Sequence, residues 1–186
     1  VNQLKDYLVK TLKVYDVRES DTPSDIKTSL KASVKTLENE KYFVKLNSNG
    51  DIESIFDKTL KKEILKEPIV TGLFNYTGSK PWPAWEMNYE EANKKPDRIP
   101  QLKTIEIIEN GPARVAIKVV QTDDRSEFTN IISLASDSEI VQMNSEIEWQ
   151  SLRTMAKNIF SLTATNTLAT FDLGLGAIER GNMSDK

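Results

Sequence analysis

Apolar residues at every second position on both sides of short turn sequences constrain the fold of this chain more than any other feature. Tyr42, Val44 and Leu46 show this alternation, and the sequence Asn-Ser-Asn-Gly follows at residues 47–50. Apolar residues then resume at Ile52 and Phe56. Because Asn and Gly tolerate positive φ angles, the pattern predicts two antiparallel strands joined by a tight hairpin turn.

Two further hairpins are predicted on the same grounds. The turn sequence Asn110-Gly111-Pro112 separates alternating apolar residues, which are Ile105, Ile107, Val115, Ile117 and Val119. The turn at residues 136–138 separates Phe128, Ile132 and Leu134 from Val141, Met143, Ser145, Ile147 and Trp149. Alternation over five positions does not fit a helix, and further strands are expected at residues 12–17, 70–76, 158–164 and 167–173. Repeated strands and turns are typical of an all-β, antiparallel β-sandwich.

Two segments lack a clear period of two. Residues 24–37 place Ile26, Leu30, Val34 and Leu37 at near-helical spacing after Ser24, so helix and strand compete there. We expect mostly a linker or short helix leading into a strand. Residues 77–100 show neither period, and they hold two of the three tryptophans and four of the seven prolines. A loop of this length in a compact domain is usually functional or disordered, and its aromatic residues argue against disorder.

Charge and hydropathy exclude two kinds of partner. The 25 basic and 28 acidic residues give a net charge of −3, without the basic stripe that nucleic-acid binding requires. No apolar stretch approaches the ~20 residues that a membrane-spanning helix needs. We therefore expect neither a nucleic acid nor a membrane as a partner. The chain contains no cysteine and no disulfide, which favours a reducing, cytoplasmic compartment.

The absence of histidine and cysteine removes most familiar catalytic arrangements. Zinc sites of the usual kinds, Ser-His-Asp triads and Cys-His pairs all need residues that the chain lacks. Carboxylates remain, but the adjacent pairs Asp123-Asp124 and Glu90-Glu91 are interpreted as solvated surface. Residues 47–51, NSNGD, superficially resemble a calcium loop, yet position twelve is Lys58 rather than glutamate. A hairpin turn is the better interpretation, and Trp149 is predicted to be a core residue.

The segment PWPAWEMN carries the candidate binding residues. Prolines on both sides of Trp82 stiffen it, and indole rings held on a rigid loop stack on sugar faces at little entropic cost. Trp85 supplies a second ring, while Glu86 and Asn88 are able to hydrogen-bond sugar hydroxyls. The alternative is that one or both indoles only pin the loop to the sheet, and the sequence leaves both interpretations open.

Five segments in order resemble the central β-domain of family 38 glycoside hydrolases, the retaining α-mannosidases. They are LENEKYFVKLNSNGDIESIFDKTLKKEIL, LFNYTGSKPWPAWEMN, IENGPARVAIKVV, EIVQMNSEIEWQSLRTMAKNIFSL and ATFDLGLGAIERGN, and they span about residues 37–182. The resemblance implies a large supersandwich of the galactose mutarotase-like type. It also implies a parent enzyme whose separate α/β barrel holds a zinc ion and an aspartate nucleophile, followed by a helical bundle.

The resemblance implies a non-catalytic role for this chain. The family's metal ligands and nucleophile have no counterpart in it, so no catalytic or metal-binding residue is carried over and no cofactor is expected in the chain itself. We expect residues 1–36 to be a lead-in with linker and first strands, and residues 37–186 to be the sandwich domain, truncated at its carboxyl end. The domain would scaffold the barrel and bundle, its partners in one polypeptide, and bound an α-mannoside pocket. The alternative is a free-standing carbohydrate-binding module; an aldose epimerase is disfavoured because that chemistry relies on histidine.

Overall fold

The structure, a computed structural model, describes residues 28–75, 82, 85, 88, 90 and 93–181. Within them, every element with defined bounds is a β-strand, as the sequence predicts. The strands are β1 (Lys31–Ser33), β2 (Thr36–Glu38), β3 (Tyr42–Leu46), β4 (Ile52–Asp57), β5 (Lys62–Glu63), β6 (Val70–Asn75), β7 (Gln101–Asn110), β8 (Arg114–Thr122), β9 (Glu127–Ala135), β10 (Gln142–Glu148), β11 (Thr154–Ile159), β12 (Leu168–Asp172) and β13 (Ala177–Gly181).

Two antiparallel sheets pack face to face and enclose the core. One has the order β1-β2-β3-β4-β5 and the other the order β10-β9-β8-β7. Strands β1 and β2 contact β7, β8 and β9 across the interface. The buried cluster between the sheets contains Leu30, Leu37, Val44, Leu46, Ile52, Ile55, Leu65, Val115, Ile117, Val119, Ile132 and Leu134. Burial of these side chains is the main stabilising contribution to a sandwich of this kind.

The three hairpins predicted from the sequence are confirmed. In the first, Val44 pairs with Ile55, and Gly50 takes the left-handed φ of 82° that its turn requires. In the second, Ile107 pairs with Ile117 and the Gly111 N–H closes the turn on the Arg114 carbonyl. In the third, β9 and β10 pair over seven residues on each strand, with Ile132 opposite Met143.

Two smaller sheets extend the sandwich. Strand β6 pairs with β11, and the isolated bridge between Ile52 and Ile69 joins this pair to the five-stranded sheet. Strands β12 and β13 form a second two-stranded sheet. The strand expected at residues 158–164 lies earlier in the chain: β11 runs from Thr154, which pairs with Asn75 of β6, to Ile159, and residues 160–164 are not in a strand. The strand expected at residues 12–17 lies outside the described residues.

The segment before residue 37 contains more strand than the sequence indicates. Strands β1 and β2 form a tight hairpin in which Lys31 pairs with Glu38 and Ser33 with Thr36. Leu30 and Leu37 are both buried in the core, whereas Val34 lies in the turn and is 48% exposed. The near-helical spacing of these residues therefore reflects two strands entering the same core.

Asn39 links the ends of the two large sheets. It is buried, and its Nδ2 donates to the carbonyl oxygens of Ala135 and Ser138, both at 3.0 Å. Its Oδ1 accepts hydrogen bonds from the backbone N–H groups of Lys41 and Tyr42. One amide side chain thus satisfies four backbone groups in segments far apart in sequence.

Trp149, predicted to be a core residue, is only partly buried. Trp149 packs edge-on against Phe128, with ring centroids 6.2 Å apart, but it remains 39% exposed. The prediction that it is largely buried is wrong, because it follows β10, which lies at the edge of the four-stranded sheet and is itself exposed over most of its length.

Among the described residues, no helix has the length and apolar character needed to cross a membrane.

Candidate functional site

Two exposed indoles lie side by side on the loop between β6 and β7. The rings of Trp82 and Trp85 stack with centroids 5.5 Å apart at an interplanar angle of 26°. Their side chains are 52% and 77% exposed, respectively, and the Trp85 N–H donates to the Trp82 carbonyl at 3.4 Å. Asn88 is exposed as well, whereas Glu86 lies outside the described residues. The structure therefore brings the two tryptophans together, and contact with a sugar remains a prediction.

The two ends of this loop meet at β6. The Leu73 N–H donates to the Arg98 carbonyl at 2.9 Å, and the Asp97 N–H donates to the Leu73 carbonyl at 2.9 Å. The Asp97 carboxylate accepts the Asn75 N–H at 2.7 Å and pairs with Lys94 at 2.8 Å. The returning chain is thus fastened next to the residue where the loop leaves the strand.

Arg98 anchors the returning chain to the body of the domain. Its Nη2 donates to Asp123 Oδ2 at 2.9 Å and to Thr154 Oγ1 at 3.2 Å, while its Nη1 donates to Asn75 Oδ1 at 2.8 Å. These partners lie in three separate parts of the chain. Arginine suits this position because its planar group offers five donors in fixed directions.

Asp123 is the buried centre of this group. Its side chain is 1% exposed, and besides Arg98 it accepts hydrogen bonds from Ser151 Oγ at 2.7 Å and from the Ser126 N–H at 2.7 Å. Burial raises the pKa of Asp123, but the hydrogen bonds from Ser151, Ser126 and Arg98 outweigh burial and lower the pKa to about 2. The interpretation of Asp123 as solvated surface is wrong, because the turn directs its side chain inward while Asp124 stays exposed.

An open cleft of about 340 Å³ lies beside this group. Its lining consists of Asn75, Arg98, Asp123, Arg125, Leu152 and Thr154. Two guanidinium groups and one carboxylate therefore share the cleft, and the carboxylate is already paired. No sequence pattern predicts this site, because its residues come from four segments that only the fold brings together.

Residues 47–51 form a hydrogen-bonded turn. Asn47 Oδ1 accepts the N–H groups of Asn49 and Asp51, at 2.8 and 3.0 Å. The carboxylate of Asp51 accepts from the side-chain amides of Asn47, Asn49 and Gln121, so protein donors occupy its oxygens. The hairpin turn predicted at these residues is confirmed. Within the described part of the chain, no group of three or more acidic, histidine or cysteine residues is arranged to hold a metal ion.

Comparison with known protein families decides the family. Residues 37–186 match the family model described as the glycosyl hydrolases family 38 C-terminal domain. The chain belongs to family 38 of the glycosyl hydrolases. The family 38 match covers most of β2 and all of β3 to β13. It therefore includes the cleft and the loop between β6 and β7, residues 76–100, which we call the tryptophan loop. The resemblance found in the sequence is thus confirmed, with the domain described as the C-terminal one. No curated protein matches the chain.

Proposed function

We propose that this chain is the non-catalytic β-sandwich part of a retaining α-mannosidase. The family 38 match over residues 37–186 carries the proposal. The buried carboxylates of Asp51 and Asp123 add support, since hydrogen bonds from protein donors already occupy their oxygens. Hydrolysis of α-mannosides, as a step in mannose metabolism, then belongs to the parent enzyme. Its mechanism is the two-step covalent one of retaining glycosidases.

The chain's own contribution is to scaffold a separate catalytic barrel and helical bundle and to bound the sugar pocket. The pair Trp82 and Trp85 supports the second role, since indoles that are 52% and 77% exposed present apolar surface of the kind on which a sugar ring stacks. The anchoring of the loop by Arg98 supports it too, because a fastened base limits the motion that sugar binding must freeze.

The proposal places zinc in the barrel rather than in this chain. The residues described here do not fit a zinc site, since the sequence has neither histidine nor cysteine. A cytoplasmic location is part of the same proposal and rests on the lack of cysteine in 186 residues.

Turnover measurements test whether catalysis belongs to the full-length parent and not to this chain. We expect the purified 186-residue chain to leave an aryl α-mannoside unhydrolysed, with or without added zinc, and the full-length parent to hydrolyse it with retention. Turnover by the 186-residue chain contradicts the non-catalytic role. A parent that cleaves only other glycosides contradicts the assignment to α-mannosidases.

Substitutions in the full-length parent test the tryptophan loop. We expect Trp85→Ala to lower kcat/KM by roughly tenfold or more, equivalent to about 1.4 kcal/mol, with metal content unchanged. Trp82→Ala should have a smaller effect, since Trp82 lies between prolines and is less exposed. Two folded variants with full activity would show that the loop only connects strands.

A free-standing carbohydrate-binding module is the second candidate, and the exposed, stacked indoles favour it. Calorimetric titration of the isolated chain with methyl α-mannoside separates the two candidates. Measurable affinity that disappears in Trp85→Ala supports a module that binds alone. No affinity supports a loop that acts only beside the barrel.

A further inference from the structure

We propose that the cleft beside Asp123 is a binding site for an oxyanion, the phosphate or carboxylate group of a small acidic ligand. This goes beyond the glycosidase function, which assigns no role to the cleft. The cleft is about 340 Å³ in volume and open to solvent, so a ligand group of this size is able to enter.

The charges of the cleft favour an anion. Arg98 and Arg125 line it together with one carboxylate, that of Asp123. Asp123 is ion-paired with Arg98 and also accepts hydrogen bonds from Ser151 and Ser126, so its charge is already compensated. Asp97, the nearest acidic residue in sequence to Arg98, is paired with Lys94 and does not line the cleft. The second guanidinium therefore leaves the cleft with an excess positive charge.

The guanidinium of Arg125 has hydrogen-bond donors that no described residue uses. Its backbone N–H donates to Asp123 Oδ1, but its guanidinium has no hydrogen bond or ion pair with any described residue. The turn that carries it is fixed, since Thr122 Oγ1 accepts the Asp124 N–H and Asp123 Oδ1 accepts the Ser126 N–H. Asp124 takes a φ of 72° in this turn. A held backbone with an uncommitted guanidinium at the edge of a cleft is suited to capture an oxyanion.

Arg98 supplies a second, fixed set of donors. The hydrogen bonds to Asp123, Thr154 and Asn75 use three of its five N–H donors, and its side chain is 36% exposed. The remaining donors are held in place by these partners. A bound oxyanion would thus meet one preorganised and one adaptable arginine, and preorganisation lowers the cost of binding.

NMR titration of the ¹⁵N-labelled chain tests the proposal. Inorganic phosphate, acetate and chloride are each added at constant ionic strength. We expect phosphate to shift the amide signals of residues 122–126 and 98 in a saturable manner, with acetate weaker and chloride without a saturable effect. Stronger acetate than phosphate binding would identify a carboxylate ligand. Mannose 6-phosphate compared with mannose then shows whether a sugar carrying the oxyanion binds more tightly than the free ion.

Single-residue variants distinguish specific phosphate binding in the cleft from non-specific attraction to positive charge. Arg125→Gln should weaken phosphate binding at least tenfold, and Arg125→Lys should retain part of it. Arg180→Gln removes the same charge from β13 and should leave phosphate binding unchanged. Because Arg125 is exposed and its side chain makes no hydrogen bond or ion pair with described residues, its variants should fold normally, which amide dispersion checks. Equal phosphate affinity in Arg125→Gln and the unchanged chain, or equal shifts with chloride, overturns the proposal.

Discussion

Asp123 joins segments that strand pairing alone does not connect. Its donors come from the end of the tryptophan loop, from its own turn, and from Ser151 before β11. The pKa of Asp123 is lowered from its ordinary value of 3.8 to about 2 in the folded chain. A carboxyl whose pKa is depressed by folding contributes stability above its unfolded pKa, and that contribution is lost as the pH falls towards the folded pKa.

Asp123→Asn should therefore lower the free energy of unfolding at pH 7 by about 2 kcal/mol. The difference from the unchanged chain should shrink between pH 4 and pH 2, because the native carboxyl becomes protonated there. Urea unfolding at several pH values measures this. Asp124→Asn is the matched control: the residue is exposed, and asparagine tolerates its φ of 72°. Equal stability of both variants at pH 7 would contradict the role assigned to Asp123.

The two Asn-Gly turns offer a second comparison between single residues. Gly50 has a φ of 82°, and a Cβ there would lie 2.5 Å from Val119 Cγ1 in the core. At Gly111, φ is not positive, and the nearest atom to an added Cβ is the Arg114 carbonyl oxygen at 3.8 Å.

Gly50→Ala should cost about 2 to 4 kcal/mol of stability, from left-handed strain together with overpacking against β8. Gly111→Ala should change stability by less than about 0.5 kcal/mol, since it meets neither obstacle. Thermal unfolding of the two variants measures the difference. Similar melting temperatures would show that the turn between β3 and β4 does not pack as closely against Val119 of β8 as described.

Among the strands, β12 and β13 stand apart. They pair over five residues on each strand, but both are almost wholly exposed and their main contacts are with each other. Phe171 lies opposite Ile178 and below the guanidinium of Arg180, so one apolar face forms within the hairpin. A two-stranded hairpin without further packing is marginally stable in water.

Backbone amides of β12 and β13 should exchange with solvent roughly a hundredfold or more faster than those of β8, which is paired on both sides and buried. Hydrogen exchange followed by mass spectrometry compares the two within one sample, so β8 serves as the internal control. Comparable protection of both segments would mean that the hairpin is packed against another surface.

Strand pairing was predictable from the sequence where alternating apolar residues flank a turn sequence, as they do at Asn49-Gly50 and Asn110-Gly111. The β1–β2 hairpin was not predictable, because Leu30, just before β1, and Leu37, in β2, are spaced as on a helix although they enter the same core from two sides of a turn. Only part of the candidate site was predictable from the sequence. The tryptophan loop was recognisable because prolines and tryptophans are concentrated in it. The cleft was not, because it depends on the Asp123 side chain pointing inward, and no local sequence pattern distinguishes an inward Asp123 from a solvated Asp-Asp pair.

Across the whole molecule, burial is unequal. The fully buried apolar residues of the described chain all lie at or before Leu134, whereas most large apolar side chains beyond residue 139 are more than one-third exposed. They are Ile140, Ile147, Trp149, Leu152, Phe160, Leu162, Leu168, Phe171, Leu173, Leu175 and Ile178. Exposed apolar surface on this scale usually marks an interaction surface.

The isolated chain should therefore associate as its concentration rises. Sedimentation velocity between ten and several hundred micromolar should show a rising weight-average mass and binding of a hydrophobic dye. Leu173→Ser with Leu175→Ser should reduce both effects without loss of β structure, because the two side chains lie at the exposed tip of the β12–β13 hairpin. A monomer at all concentrations that binds no dye would contradict this prediction.

The hydrogen bonds of Asn39 form only late during synthesis of the chain on the ribosome. Their acceptors lie 96 and 99 residues further along the sequence, at Ala135 and Ser138. At about 5 to 20 residues per second, those carbonyls leave the ribosome roughly 5 to 20 seconds after Asn39 does. Until β9 and β10 follow β7 and β8, the facing sheet is incomplete, and part of the apolar surface of the five-stranded sheet is open to chaperones or to neighbouring nascent chains.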